Sequence, residues 1–290
     1  MKIAVTGAGG MLGQALVPRL ESRGHTVLGL ARTDADVTSM ESLAPPIDAF
    51  RPDWVAHLAA FTRVDECESR PEHAYLVNAT GARNTARVAV ECGAAVLAIS
   101  TDYVFDGESR TPYREDAPVA PRSVYGASKW AGEEAVREVQ PRHAVVRTSW
   151  LFGHGGPNFV DTMLRKARAG ESLRVVDDQR GSPTWTQDLA EGLALLMESG
   201  HYGTFHCTNA GDCTWFDLAA HALQRAGLSV PLERTDTASF PRPARRPAYS
   251  VLDHQAFEAV TGHRMPHWHD AVDRYLQSRV PAAAGGRDAT

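Results

Sequence analysis

Lysine is nearly absent from this chain: in 290 residues it occurs only at Lys2, Lys129 and Lys166, so arginine carries most of the positive charge. Cysteine is almost as scarce. Cys67, Cys92, Cys207 and Cys213 form no C-x-x-C pair, which argues against a zinc ribbon or a disulfide framework and for reduced, intracellular thiols. No stretch approaches the roughly 20 apolar residues of a membrane span, and no charged segment followed by an apolar one precedes the first strand. The expected location is cytoplasmic, with no membrane partner. No lysine-arginine block interrupts the sequence and the net charge is −5, so the electrostatic footprint of a nucleic-acid binder is missing. His263, His267 and His269 are separated by Pro266 and Trp268, a pattern that fits a surface helix start better than a metal site.

What is present begins at residue 2. Lys2-Ile3-Ala4-Val5-Thr6 reads as a β-branched strand, Gly7-Ala8-Gly9-Gly10-Met11-Leu12-Gly13 as a glycine-rich turn, and Gln14 to Arg23 as a helix. The spacing is G-x-x-G-x-x-G over Gly7, Gly10 and Gly13; a G-x-G-x-x-G version fails because position 12 is Leu12. Such a turn holds pyrophosphate. Gly7 permits the tight bend, Gly10 opens the backbone N–H groups at the helix terminus, and Gly13 allows close packing. After the second strand, Thr26 to Leu30, stands Arg32 where an NAD-preferring site often carries an acid. A guanidinium there suits the 2′-phosphate of NADPH, with NADH as the other option if Arg32 is simply exposed. Asp36 and Val37 are placed to flank the adenine, and the small residues of Leu58-Ala59-Ala60-Phe61-Thr62 would let backbone lie against the cofactor.

Tyr125 and Lys129 stand one helical turn apart in Tyr125-Gly126-Ala127-Ser128-Lys129, so both side chains project from one helix face. A phenol with an ordinary pKa of about 10 becomes a usable acid beside an ammonium that stabilises its phenolate. The bland alternative is a solvated lysine beside a half-buried tyrosine, and a cofactor turn upstream decides between them. Strands near 2–6, 26–30, 53–57, 95–100 and 143–148 alternate with helices near 11–23, 40–50, 71–93 and 125–139, which predicts an α/β, Rossmann-type, doubly wound parallel sheet. Ligands in such sheets sit beyond the carboxyl ends of the strands. Gly7, Thr62, Thr101 and Trp150 all fall there. Residues 1–150 are expected to form the nucleotide-binding domain and 151–280 a smaller mixed α/β substrate lobe, some of which returns to the core. Pro281 to Thr290 is expected to be a disordered tail.

Thr6-Gly7-Ala8-Gly9-Gly10-Met11-Leu12-Gly13, Ser100-Thr101-Asp102-Tyr103-Val104-Phe105-Asp106-Gly107 and Tyr125-Gly126-Ala127-Ser128-Lys129 resemble the extended short-chain dehydrogenase/reductase superfamily. Within it, the second of these and Asp178-Gln179-Arg180-Gly181-Ser182-Pro183-Thr184 resemble the dTDP-4-dehydrorhamnose reductases over nearly the whole chain. The resemblance implies NADPH-dependent reduction of a dTDP-linked 4-keto-6-deoxy sugar. In that scheme Tyr125 is the acid, Lys129 lowers its pKa and holds the nicotinamide ribose, and Thr101 binds the same substrate oxygen. It further implies cofactor contacts from Gly7, Gly10, Met11, Leu12, Arg32, Asp36, Val37, Ala59, Ala60, Phe61 and Thr62, and sugar contacts from Val64, Asp102, Tyr103 and Trp150. Arg245 and Arg246 are candidates for the diphosphate. Some members form homodimers with magnesium at the subunit contact. Related dehydratases carry Thr-Asp-Glu where this chain has Thr101-Asp102-Tyr103, which favours reduction over elimination. Epimerases and NADP-binding regulatory subunits of the same fold are the remaining alternatives.

Overall fold

The computed structural model describes residues 1–279; the tail expected at 281–290 lies outside the described residues. Five strands, β1 (Lys2–Thr6), β2 (Thr26–Leu30), β3 (Trp54–His57), β4 (Ala95–Thr101) and β5 (His143–Thr148), join Gly203–His206 in one six-stranded sheet. Its order is Gly203–His206, β5, β4, β3, β1, β2, and every pairing is parallel. The chain winds one way from β1 to β2 and the other way from β3 onward. The switch therefore lies between β1 and β3, and a parallel sheet opens a crevice at the carboxyl ends of such a pair.

The strands read as continuous apolar runs because helices cover both faces. Ile3 and Val5 of β1 point into one core with Leu97, Val146, Leu16 and Leu20; Ala4 points into the other with Val55, Val96, Leu43 and Ile47. Helix α1 (Met11–Ser22) lies on the first face against the helix Thr186–Ser199, and Arg23 pairs with Glu191 and Glu198 there. Helix α2 (Met40–Phe50) lies on the second face. The expected continuous helix at 71–93 is instead Pro71–Tyr75, a π-helical turn at Leu76–Thr80, and Gly81–Glu91.

A separate apolar cluster around Phe152, Leu164, Trp185, Leu218, Trp268 and Tyr275 holds the segments outside the sheet. Three short strand pairs tie them together: Leu151–Phe152 with Thr184–Trp185, Leu173–Val176 with Leu232–Thr235, and Arg180–Gly181 with Cys213–Thr214. All four cysteines carry free thiols, and no described helix is long and apolar enough to cross a membrane.

Candidate active site

Gly7 follows β1 with φ +72°, and a Cβ there would lie 2.7 Å from the Ala59 backbone nitrogen. Any side chain would push β1 and the Leu58–Ala60 segment apart. Gly13 is equally constrained, though by the turn itself rather than by a strand: its Cβ would meet the Gly7 carbonyl oxygen at 2.5 Å. Gly10 precedes the first turn of α1 in extended conformation, with no side chain over the free N–H groups. This cradle has the shape and polarity that a pyrophosphate requires.

From the cradle a cleft runs in two directions. One lobe, about 690 Å³, is lined by Arg32, Asp36, Val37, Ala59, Phe61 and His73. The other, about 510 Å³, is lined by Met11, Leu12, Thr62, Val64, Thr101, Asp102, Tyr103, Tyr125, Lys129 and Trp150. Gly7, Gly10, Leu58 and Ala60 border both lobes, so the cleft is continuous past the turn. Each site residue named from the sequence lines one lobe or the other. Of the two adjacent arginines, only Arg246 reaches the cleft; Arg245 is exposed and pairs with Glu108. Among the described residues no group of three or more His, Cys, Asp or Glu assembles a metal site, and no step below passes through magnesium.

Tyr125 and Lys129 stand on the helix Val124–Val139, whose start is fixed twice: the Ser123 side chain accepts from the Gly126 N–H, and Glu68 accepts from the Val124 N–H at 2.8 Å. Gly126 lets that helix approach the loop after β4, since a Cβ there would fall 2.1 Å from the Tyr103 carbonyl oxygen. Thr101, the last residue of β4, is thereby brought beside Tyr125. The Tyr103 and Tyr125 rings meet edge to face at 5.5 Å, while Arg246 ties the Tyr103 hydroxyl (2.9 Å) to Asp65 (3.0 Å).

Electrostatics depart from the sequence expectation in one respect. Burial raises the Tyr125 hydroxyl above the ordinary phenol range, and the Thr101 hydroxyl opposes that rise only in part. At neutral pH the phenol is protonated with or without this rise, and the rise by itself makes it a weaker donor, so donation depends on positive charge brought against it. Lys129 is 5% exposed, and burial lowers its ammonium from 10.5 to about 8, with Glu133 opposing. Asp102, 2% exposed, is raised by burial to about 6. Its Oδ1 accepts from the Thr101 hydroxyl at 2.9 Å while its Oδ2 has no hydrogen bond.

Lys129 carries a pH prediction with two opposite signs. The Lys129 ammonium is lost as pH rises through about 8, so if turnover needs it the alkaline limb of kcat/KM should lie near that value instead of near 10.5. Over the same window the unfolded chain binds the extra proton, so this residue's contribution to stability rises with pH. Comparing urea midpoints of wild type and Lys129→Met between pH 7 and 10 isolates it. A difference that does not change with pH would count against a buried, weakened ammonium.

Several contributors were not legible as site residues. Asn78, in the π-helical turn, binds the Phe61 backbone through both amide atoms (2.7 and 3.1 Å) and donates to Ser128 at 2.9 Å, locking the cofactor loop to the Tyr125 helix. Trp215 stacks on Trp150 with ring centroids 3.6 Å apart and planes within 5°, and both line the cleft. Trp150 adopts φ +48°, which a bulky residue rarely does. Gly181 makes room for the indole, since a Cβ there would lie 2.6 Å from Trp150. The only sequence signal for Gly181 was its place in Asp178-Gln179-Arg180-Gly181; for Trp215 there was none.

Comparison with known proteins agrees with this geometry. Residues 1–280 match the family model described as RmlD substrate binding domain. A dTDP-4-dehydrorhamnose reductase of Streptomyces griseus is 44% identical, over 97% of this chain and 93% of its own. A dTDP-4-keto-6-deoxy-D-glucose reductase of Streptomyces niveus is 40% identical, over 92% of this chain and 94% of its own. Among solved structures, the dTDP-4-dehydrorhamnose reductase of Bacillus anthracis in complex with NADP superimposes with a TM-score of 0.93 at 37% identity, covering 96% of this chain and 99% of that one.

Proposed function

The chain belongs to the dTDP-4-dehydrorhamnose reductase family, and from that premise we propose that it reduces the C4 keto group of a dTDP-4-dehydro-6-deoxy sugar with NADPH, dTDP-4-dehydro-L-rhamnose being the preferred substrate. The observation that carries this reading is the convergence of Thr101, Tyr125 and Lys129 in a cleft continuous with the glycine cradle. When bound across that cradle, a nicotinamide dinucleotide supplies hydride to the carbonyl carbon. The chain supplies the rest. Tyr125 donates its proton to the C4 oxygen as charge develops there, and the Lys129 ammonium, in the same lobe, stabilises the phenolate that remains. Thr101 is positioned for that oxygen too, but its single proton is held by Asp102. It must leave Asp102 to serve the substrate, and a carboxylate whose proton affinity is raised by burial holds it the more firmly, so Tyr125 remains the proton donor. Tyr103 stands where elimination would need a second carboxyl group, so the chemistry stops at the alcohol. The Trp150–Trp215 pair presents aromatic surface for the ligand, and Arg246 supports Tyr103 at the rim.

The test is loss of NADPH absorbance with a panel of dTDP-linked 4-keto sugars, with product stereochemistry determined. Turnover of none of them would overturn the reading and favour a regulatory, cofactor-binding protein. Turnover of a different 4-keto sugar would correct the substrate alone. Arg32, exposed at the rim of the first lobe, supports NADPH as the coenzyme. Arg32→Ala should cut kcat/KM for NADPH by about 10- to 100-fold, the size of a charge-assisted phosphate contact, and leave NADH almost untouched. Equal losses with both would remove the 2′-phosphate from its role.

A further inference from the structure

Ile99, Ser100 and Lys129 border both the cleft and a small cavity of about 10 Å³, which is lined further by His57, Asn78, Glu133 and apolar neighbours. That is about the least room in which one water fits. Its polar walls are almost fully committed. Glu133 accepts from Arg147, Arg137 and Ser100, and Asn78 is engaged with Phe61 and Ser128. His57, on β3 and 1% exposed, is one of two exceptions, Lys129 being the other: the His57 Nε2 is buried without a partner.

The state of that nitrogen follows from the other edge of the ring. Nδ1 lies 3.0 Å from both Thr6 Oγ1 and Thr85 Oγ1. The Thr85 hydroxyl already donates its one proton to the Gly81 carbonyl at 2.9 Å, so toward His57 it can only accept. Nδ1 therefore carries the ring proton, and Nε2 presents a bare lone pair. Burial keeps the ring neutral, with a pKa of about 3. A lone pair cannot donate, and Lys129 is the lining residue that carries an ammonium, for which no hydrogen bond to protein exists among the described residues.

We propose that His57 is a positioning residue for Lys129: its Nε2 holds one water in this cavity, and that water holds the lysine ammonium. The water accepts from Nζ and donates one proton to Nε2, while the Ser100 oxygen, whose own proton goes to Glu133, takes the other. This satisfies three polar partners, the number a buried water ordinarily has. The bridge keeps Lys129 charged against burial and fixes its height in the cleft. His57 does not carry the proton onward, because its far edge ends on two buried threonine hydroxyls.

The inference rests on the reductase reading for its kinetic test but not for its structural one. Removing the lone pair with His57→Leu should lower kcat about tenfold and bring the alkaline limb down by about one unit, the scale of one hydrogen bond to a charged group. KM for the sugar should stay within about twofold. His57→Gln, which restores an acceptor, should recover most of both. A Leu variant that is folded and keeps its limb and rate, or a Gln variant no better than Leu, overturns the proposal. Independently, a high-resolution crystal structure of the wild-type protein should show one ordered water within hydrogen-bond distance of both Nε2 and Nζ. A dry cavity, or a water that does not touch His57, overturns it even if the variants fail to fold. Absence of any sugar turnover by the wild type would instead defeat the reductase reading, leaving the water to be judged from the crystal.

Discussion

Tyr125→Phe should lower kcat by about two to four orders of magnitude, the range for removing a positioned proton donor, while leaving the fold and coenzyme affinity nearly intact. Phenylalanine keeps the ring, its burial and the edge-to-face contact with Tyr103 at 5.5 Å; only the hydroxyl is lost. The Thr101 proton is directed to Asp102, and Lys129 gains by donating only if its own charge can be given up beside the developing alkoxide. The Tyr103 hydroxyl accepts from Arg246 and keeps its own proton, so Tyr103→Phe added to Tyr125→Phe measures any residual donation from it. The loss should therefore fall on kcat, with NADPH Kd within about threefold. Activity within tenfold of wild type would remove Tyr125 as the acid and shift the role to Thr101 and Asp102.

Arg147→Met should be the most destabilising surface-neutral change in the sheet, at about 3–5 kcal/mol, the cost of leaving one member of a buried ion pair alone. Arg147 on β5 and Glu133 on the Tyr125 helix are each 2% exposed at the side chain, and the guanidinium makes two hydrogen bonds to the carboxylate at 2.9 and 2.8 Å. It also donates to the Glu115 carbonyl at 3.1 Å and lies over Phe105 at 5.0 Å. Glu133 is held below the ordinary carboxylate range chiefly by Arg147, against the effect of its own burial. Without Arg147 the carboxylate keeps only Arg137 and Ser100 as partners. Urea denaturation would measure the loss, and Glu133→Gln added to Arg147→Met should recover part of it because the stranded charge is gone. A single variant that loses less than about 1 kcal/mol would show that the pair is solvated in the folded chain. The change also reaches the cleft: Glu133 raises the Lys129 pKa, so a less neutralised Glu133 should move the alkaline limb upward.

The sheet was legible because its strands are apolar runs separated by amphipathic helices, and five strand positions and the glycine turn follow directly from that pattern. That Thr101, Tyr125 and Lys129 share one cleft was legible because Thr101 closes a strand and Tyr125 and Lys129 share one helix face. What the pattern lacked was information carried by distant contacts. The π-helical turn that aims Asn78 has no compositional mark, and its neighbour Gly132, whose Cβ would meet the Asn78 carbonyl oxygen at 2.3 Å, reads as an ordinary helix glycine. Trp215 is 65 positions from the tryptophan it stacks on. The direction of the Tyr125 shift was misread because spacing reveals Lys129 but not burial, and burial is the larger influence. Two adjacent arginines looked equivalent, yet backbone course sends Arg246 inward and Arg245 to solvent.

The sheet also imposes an order on the chain's own making. Its outermost strand, Gly203–His206, pairs with β5, and the helix before it, Thr186–Ser199, covers α1. During synthesis the first five strands emerge with β5 as a bare hydrogen-bonding edge and the apolar side of α1 uncovered; α1 stays so until residue 199 has left the ribosome and the β5 edge until residue 206 has. The intervening stretch from 151 to 185 is thus a loop thrown out from an unfinished sheet. Exchanging the 151–185 stretch between relatives will respect this architecture only if the cut leaves 186–206 with the six-stranded sheet.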